Sequence, residues 1–189
     1  MTTPRVLLLP GWQNSGPGHW QSRWEALHGF DRVAQDDWLW PRRGDWMARL
    51  EDTLLDGDGP ALLVAHSLGC HLVAAWAGHS RHTARVAGAL LVAPPDVERA
   101  DMPPPVQTWA PIQRRPLPFA STAVLSADDP YCDASRSLQL AADWGSEIVS
   151  LGAAGHINAD SGLGDWPEGI ILLQALAARA GLTLAATPD

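Results

Sequence analysis

Short apolar runs alternate with amphipathic stretches along the whole chain. Residues 5–9, 32–35, 61–65, 86–93, 121–126 and 147–151 are runs of strand length and predict six β-strands. Between them, residues 20–27, 46–55, 68–78, 135–144 and 166–180 space their apolar positions three and four apart, the period of a helix with one face in a core. Strand and helix alternate strictly, which predicts an α/β class protein: a doubly wound parallel six-stranded sheet with helices on both faces. The run Ala-Leu-Leu-Val-Ala at 61–65 is apolar at every position, as a strand covered on both sides must be. Residues 94–118 break the rhythm, because their prolines stop helix and strand alike. They predict a long loop crossing the carboxyl edge of the sheet, where doubly wound folds bind ligands.

A chain of 189 residues can bury a sizeable core, and one domain spanning 1–189 is expected. With 46% hydrophobic and 18% charged residues it is globular in composition rather than disordered. The balance of 13 Lys+Arg against 21 Asp+Glu gives a net charge of -8, whose field opposes polyanions, so no nucleic acid partner is expected. The longest apolar run, about 87–95, is too short to span a bilayer, and the N-terminus lacks a basic segment followed by an apolar one. No membrane association and a cytoplasmic location follow as expectations. Two cysteines, Cys70 and Cys132, are too few for a disulfide scaffold and fit a reducing compartment.

The strand at 61–65 passes straight into His66-Ser67-Leu68-Gly69 and then into a helical pattern. Ala65-His66-Ser67-Leu68-Gly69 is one residue away from Gly-x-Ser-x-Gly, the turn whose small flanking residues let a strained serine stand above the sheet as a nucleophile. The plain alternative is that Ser67 only caps the helix that follows it. A hydroxyl needs a base, and the base an orienting acid, which on this architecture come later in the order Ser, Asp, His, each just past a strand. The strand at 121–126 leads into Ala127-Asp128-Asp129-Pro130, and that at 147–151 into Gly155-His156. Spacing leaves the acid open between the two carboxylates; Asp129 is favoured, with Asp128 as a turn former. His66 is expected to point away from the nucleophile, and His79 and His82 to be solvated. The oxyanion of acyl transfer would be held by the Leu68 backbone N–H and by Trp12 N–H in the glycine-rich turn after the first strand. That turn lacks the spacing of the phosphate-binding glycine motifs, and no His or Cys pattern has metal-ligand spacing, so neither cofactor nor metal is expected.

The segments Pro10-Gly-Trp-Gln-Asn-Ser-Gly-Pro-Gly-His-Trp20-Gln-Ser-Arg-Trp24, Ala65-His-Ser-Leu-Gly69, Asp128-Asp-Pro-Tyr131 and Gly155-His-Ile-Asn158 resemble the small serine hydrolases of the retinoblastoma-binding protein 9 and YdeN type. The resemblance implies a small α/β-hydrolase fold of six parallel strands with no cap domain, and a triad of Ser67, Asp129 and His156, with the second Asp of the pair as the acid. The retinoblastoma-binding Leu-x-Cys-x-Glu motif is absent, so nothing supports that partner.

Ten tryptophans stand against one Tyr and two Phe. Most are expected to pack helices on the sheet, while Trp12 and Trp109 are the candidates to line an apolar acyl pocket. Together these features predict a serine hydrolase, carboxylesterase-like, that cleaves small or medium carboxylic esters, thioesters or amides through an acyl-serine intermediate. Its partner would be a small-molecule acyl substrate, and it would act as a monomer or weak homodimer. The rival reading is a hydrolase-fold binding protein, weak or inactive as a catalyst, that uses a Trp-rich face to dock a partner.

Overall fold

The computed structural model describes residues 4–184; Met1 to Thr3, part of the N-terminal reading above, lie outside the described residues. The strands are β1 (Arg5–Leu9), β2 (Asp31–Arg32), β3 (Ala61–His66), β4 (Val86–Val92), β5 (Ala120–Leu125) and β6 (Glu147–Ser150). They form one six-stranded sheet in the order β2-β1-β3-β4-β5-β6, and every neighbouring pair is parallel. The helices are α1 (Trp20–His28), α2 (Arg43–Asp56), α3 (Leu68–Ala77), α4 (Pro104–Gln107), α5 (Ala134–Asp143) and α6 (Pro167–Arg179).

Strand periodicity sorts the core into two layers. Leu7, Leu9, Leu63, Ala65 and Leu91 pack with Trp46, Leu50, Trp76 and Leu140 of α2, α3 and α5 and with Trp144 just past α5. Val6, Leu8, Leu62, Val64 and Leu90 pack on the other face with Trp20, Trp24, Leu173 and Leu176 of α1 and α6. Trp20, Trp24 and Trp166 form an aromatic cluster there, with ring centroids 4.9 to 5.7 Å apart. This is a small α/β-hydrolase fold, and among the described residues no cap domain sits over the sheet.

Two elements differ from the pattern-based expectation. β2 is shorter than 32–35, because it is an edge strand that pairs only through Leu7 with Asp31 and Leu8 with Arg32. The 94–118 segment is not purely loop: α4 starts at Pro104, where a proline costs a helix nothing. The segment is a braced strap. His71 Nε2–H donates to the Pro95 carbonyl over 2.7 Å, Trp109 Nε1–H to the Pro41 carbonyl over 2.7 Å, and Arg114 and Arg136 each reach Glu98 at 2.5 Å.

Candidate active site

β3 is buried along its length, and the chain reverses at Ser67 directly into α3. Ser67 holds φ 55° and ψ -124°, a conformation that costs a non-glycine residue on the order of 1–3 kcal/mol and lifts its side chain off the sheet edge. A Cβ on Gly69 would stand 2.3 Å from the Leu9 carbonyl oxygen, so α3 approaches β1 only because that position is bare. At the other flank Ala65 is fully buried, and alanine fits where the motif has glycine.

Ser67 Oγ–H donates to His156 Nε2 over 2.9 Å. His156 Nδ1–H donates in turn to the two Asp129 carboxylate oxygens at 3.0 and 2.9 Å. The His156 and Asp129 side chains are only 9% and 4% exposed, so this chain of bonds is shielded from water. Strand ends bring the residues together: β3 delivers the serine, β5 the aspartate and β6 the loop that carries the histidine. Asp128 faces that same loop instead of the histidine ring. Its carboxylate accepts the Gly155 N–H and the Ser126 Oγ–H, each at 2.8 Å, and these bonds hold its pKa below the usual carboxylate range.

Three successive backbone positions around His156 are held by side chains from different elements. Asp128 takes the Gly155 N–H, His66 Nε2–H donates to the His156 carbonyl over 2.9 Å, and Trp20 Nε1–H to the Ile157 carbonyl over 2.8 Å. His66 therefore does not point away from the site as expected. Strand alternation turns it onto the α1 side with Val64, and there its ring meets His19 at 4.6 Å and His156 at 4.9 Å. Burial pushes its pKa well below the ordinary imidazole value, so it is neutral and can donate only from Nε2 when that atom carries the proton. The sequence motif held a signal for Trp20 in the paired Trp20 and Trp24, but the bond to residue 157 spans 137 positions and has no local signature.

The turn after β1 lies flat against the turn at Ser67, since a Cβ on Gly11 would stand 2.8 Å from Ser67 Cβ and 3.1 Å from the Leu68 nitrogen. Among the described residues neither Trp12 N–H nor Leu68 N–H donates to a backbone carbonyl. Gln21, buried in α1, ties the turn down, accepting from Ser15 Oγ–H at 2.8 Å and donating to the Val64 carbonyl at 3.1 Å.

A cavity of about 320 Å³ opens over Ser67, with Trp12, Leu68, Met102 and Val106 among its apolar lining and His19 and Asn158 among its polar lining. Trp12 is thus at the cavity as expected, but Trp109 is not. Trp109 is buried under the strap, packed at 5.6 Å on Trp46 with its N–H on Pro41, and the strap presents Met102, Pro103 and Val106 to the cavity in its place. Of the other eight tryptophans, six are fully buried, Trp38 is half-buried and Trp40 is 58% exposed, so they present no continuous exposed Trp-rich surface. His79 and His82 are exposed, as expected, and His82 Nδ1 contacts Glu51 at 2.6 Å. Both cysteines are buried thiols, and burial pushes Cys132 up to about 12. Among the described residues no group of three His, Cys, Asp or Glu side chains is placed to hold a metal ion, and no helix is long and apolar enough to cross a membrane.

Fold and geometry together define an α/β-hydrolase. Residues 6–175 match the family model of the serine hydrolases, and the chain belongs to that family. Among solved structures it is similar to a YdeN-like hydrolase from Pectobacterium atrosepticum, at 29% identity and a TM-score of 0.83 over 94% of this chain and 92% of that one. It is also similar to the ydeN gene product of Bacillus subtilis, at 22% identity and a TM-score of 0.73 over 93% and 100% of the two chains. The carboxylesterase CesB from Bacillus subtilis shares the fold at 14% identity and a TM-score of 0.60, over 95% of this chain and 84% of that one. A comparison with curated proteins found no match. Within the α/β-hydrolase superfamily the chain is a serine hydrolase of the YdeN type.

Proposed function

We propose that the protein hydrolyses small or medium carboxylic esters, with thioesters and amides as chemically related substrates, through an acyl intermediate on Ser67. The observation that carries this reading is the unbroken chain of hydrogen bonds from Ser67 Oγ through the His156 ring to Asp129. Ser67 Oγ attacks the substrate carbonyl as His156 Nε2 takes its proton, and the oxyanion that forms sits against the Trp12 and Leu68 N–H groups. Asp129 fixes the His156 tautomer and stabilises the imidazolium. The tetrahedral adduct collapses, the leaving oxygen, sulfur or nitrogen receives the proton from His156, and the acyl group stays on Ser67. Water, activated by the same imidazole, then releases the acid and restores the serine. No cofactor enters these steps.

The cavity is near the low end of the range of roughly 300–1,000 Å³ for small-molecule sites, which supports acyl chains of short or medium length. The test is steady-state hydrolysis of p-nitrophenyl acetate and butanoate by wild type and Ser67→Ala. The variant should lose at least about a thousandfold in turnover. Retention of more than about a tenth of the activity would remove Ser67 from the nucleophile role.

A further inference from the structure

We infer that the site takes esters with two unlike ends: an apolar acyl chain, and an alcohol portion bearing a neutral oxygen acceptor that the Nε2–H of His19 recognises. This deepens the Ser67 reading and rests on it.

The cavity has two walls of different chemistry. Trp12, Met102 and Val106 pack with the core on the α2, α3 and α5 side of the sheet. His19 and Asn158 stand next to Trp20 and Ile157, which belong to the core on the α1 and α6 side. Ser67, at the end of the central strand β3, lies between the two. The reaction itself decides which end of a substrate meets which wall. His156 must hand its proton to the leaving oxygen, so the alcohol portion lies beside His156 and the residues of its loop, on the polar wall. The acyl chain is left with the apolar one.

His19 is 5% exposed, and its Nδ1 accepts the Gln21 N–H at 3.1 Å to cap α1. The neutral ring therefore carries its proton on Nε2. Burial pushes the pKa of His19 down to about 4, so the ring is neutral at physiological pH. That Nε2 is buried and has no hydrogen-bond partner. An orphaned buried donor is rare in a folded protein and marks a place where an arriving acceptor is worth more than in water. A neutral imidazole offers an anion no charge, and Arg32, a cation whose field reaches His19, is committed to Asn14, Ser15, Ser22 and Glu25. The acceptor is accordingly an uncharged oxygen of ether, hydroxyl or carbonyl type.

The test compares 2-methoxyethyl butanoate with butyl butanoate, esters of one acid whose alcohols differ by an ether oxygen in place of a methylene. Their kcat/KM ratio is measured in wild type, His19→Asn and His19→Gln. Asparagine keeps an acceptor near the position of Nδ1 for the helix cap and deletes the distal donor, whereas glutamine places an N–H near the position of Nε2. Dividing the variant ratio by the wild-type ratio cancels the inductive effect of the ether oxygen. His19→Asn should lower the preference for the ether ester by about threefold to tenfold, and His19→Gln should restore most of it. An unchanged ratio in His19→Asn, or glutamine no better than asparagine, would overturn the assignment, as would a wild-type protein that reacts with a fluorophosphonate at Ser67 yet cleaves neither ester. Failure of the underlying reading looks different: wild type then shows no fluorophosphonate adduct at Ser67 and no turnover.

Discussion

Asp128 and Asp129 are neighbours with different partners, and the difference is measurable. Asp129→Asn would set an amide against His156 Nδ1 and favour the tautomer with its proton on Nε2, where it cannot accept from Ser67. The expected loss in kcat is about 10³- to 10⁴-fold. Asp128→Asn keeps an oxygen for the Gly155 N–H and the Ser126 hydroxyl, and should stay within about tenfold of wild type. Steady-state kinetics on the two purified variants check this, and a larger loss at Asp128 would transfer the orienting role to it. The order Ser, Asp, His was visible in the sequence because each residue follows a strand. Which carboxylate turns inward was not, because that depends on the path of the chain from Ala127 to Tyr131 and on the Gly155 N–H, 27 residues away. His66 and Trp109 were misplaced for the same reason. The direction of each ring is set by a distant carbonyl, of His156 and of Pro41, that no local pattern announces.

At the level of elements, the site depends on how closely three segments approach one another. The strand, turn and helix from β3 through α3 could be read directly, since an all-apolar strand running into a serine flanked by small residues has few other structural uses. The turn after β1 was legible in its glycines, and Gly11 shows why they matter: its bare α-carbon lets the turn lie against Ser67 and the Leu68 nitrogen. Gly11→Ala should push that turn off Ser67 and lower kcat by about 10²- to 10³-fold, the cost of one misaligned oxyanion donor, while KM for a p-nitrophenyl ester moves far less. A proportionate rise in KM with kcat intact would mean that the turn serves binding alone. The strap was readable only as a break in the rhythm. Its shape comes from ion pairs and carbonyl contacts with α2, α3 and α5, so the identity of its cavity-facing residues, Met102, Pro103 and Val106, had no signature in periodicity.

The whole molecule carries its buried histidines as neutral groups, which ties stability to pH. An unfolded chain protonates its histidines near the ordinary imidazole value of about 6.5, whereas burial pushes His19 and His71 down to about 4 and His66 well below the ordinary value. Between about 6.5 and 4 the unfolded chain binds more protons than the folded one, so stability is full above that window and is lost as the pH falls through it. The loss is about 1.4 kcal/mol per pH unit for each such histidine. Urea denaturation should give a clearly lower midpoint at pH 5 than at pH 7, with His71→Gln narrowing the gap; equal midpoints would mean that the folded protein admits those protons freely. Whether this fold presents Ser67 as an activated nucleophile is decided by treating the protein with a fluorophosphonate and mapping the adduct by peptide mass spectrometry. A single phosphonyl group is expected on Ser67, absent in Ser67→Ala and formed far more slowly in His156→Ala; an unmodified Ser67 in the folded wild-type protein, or an adduct at another residue, would show that Ser67 is not the activated nucleophile.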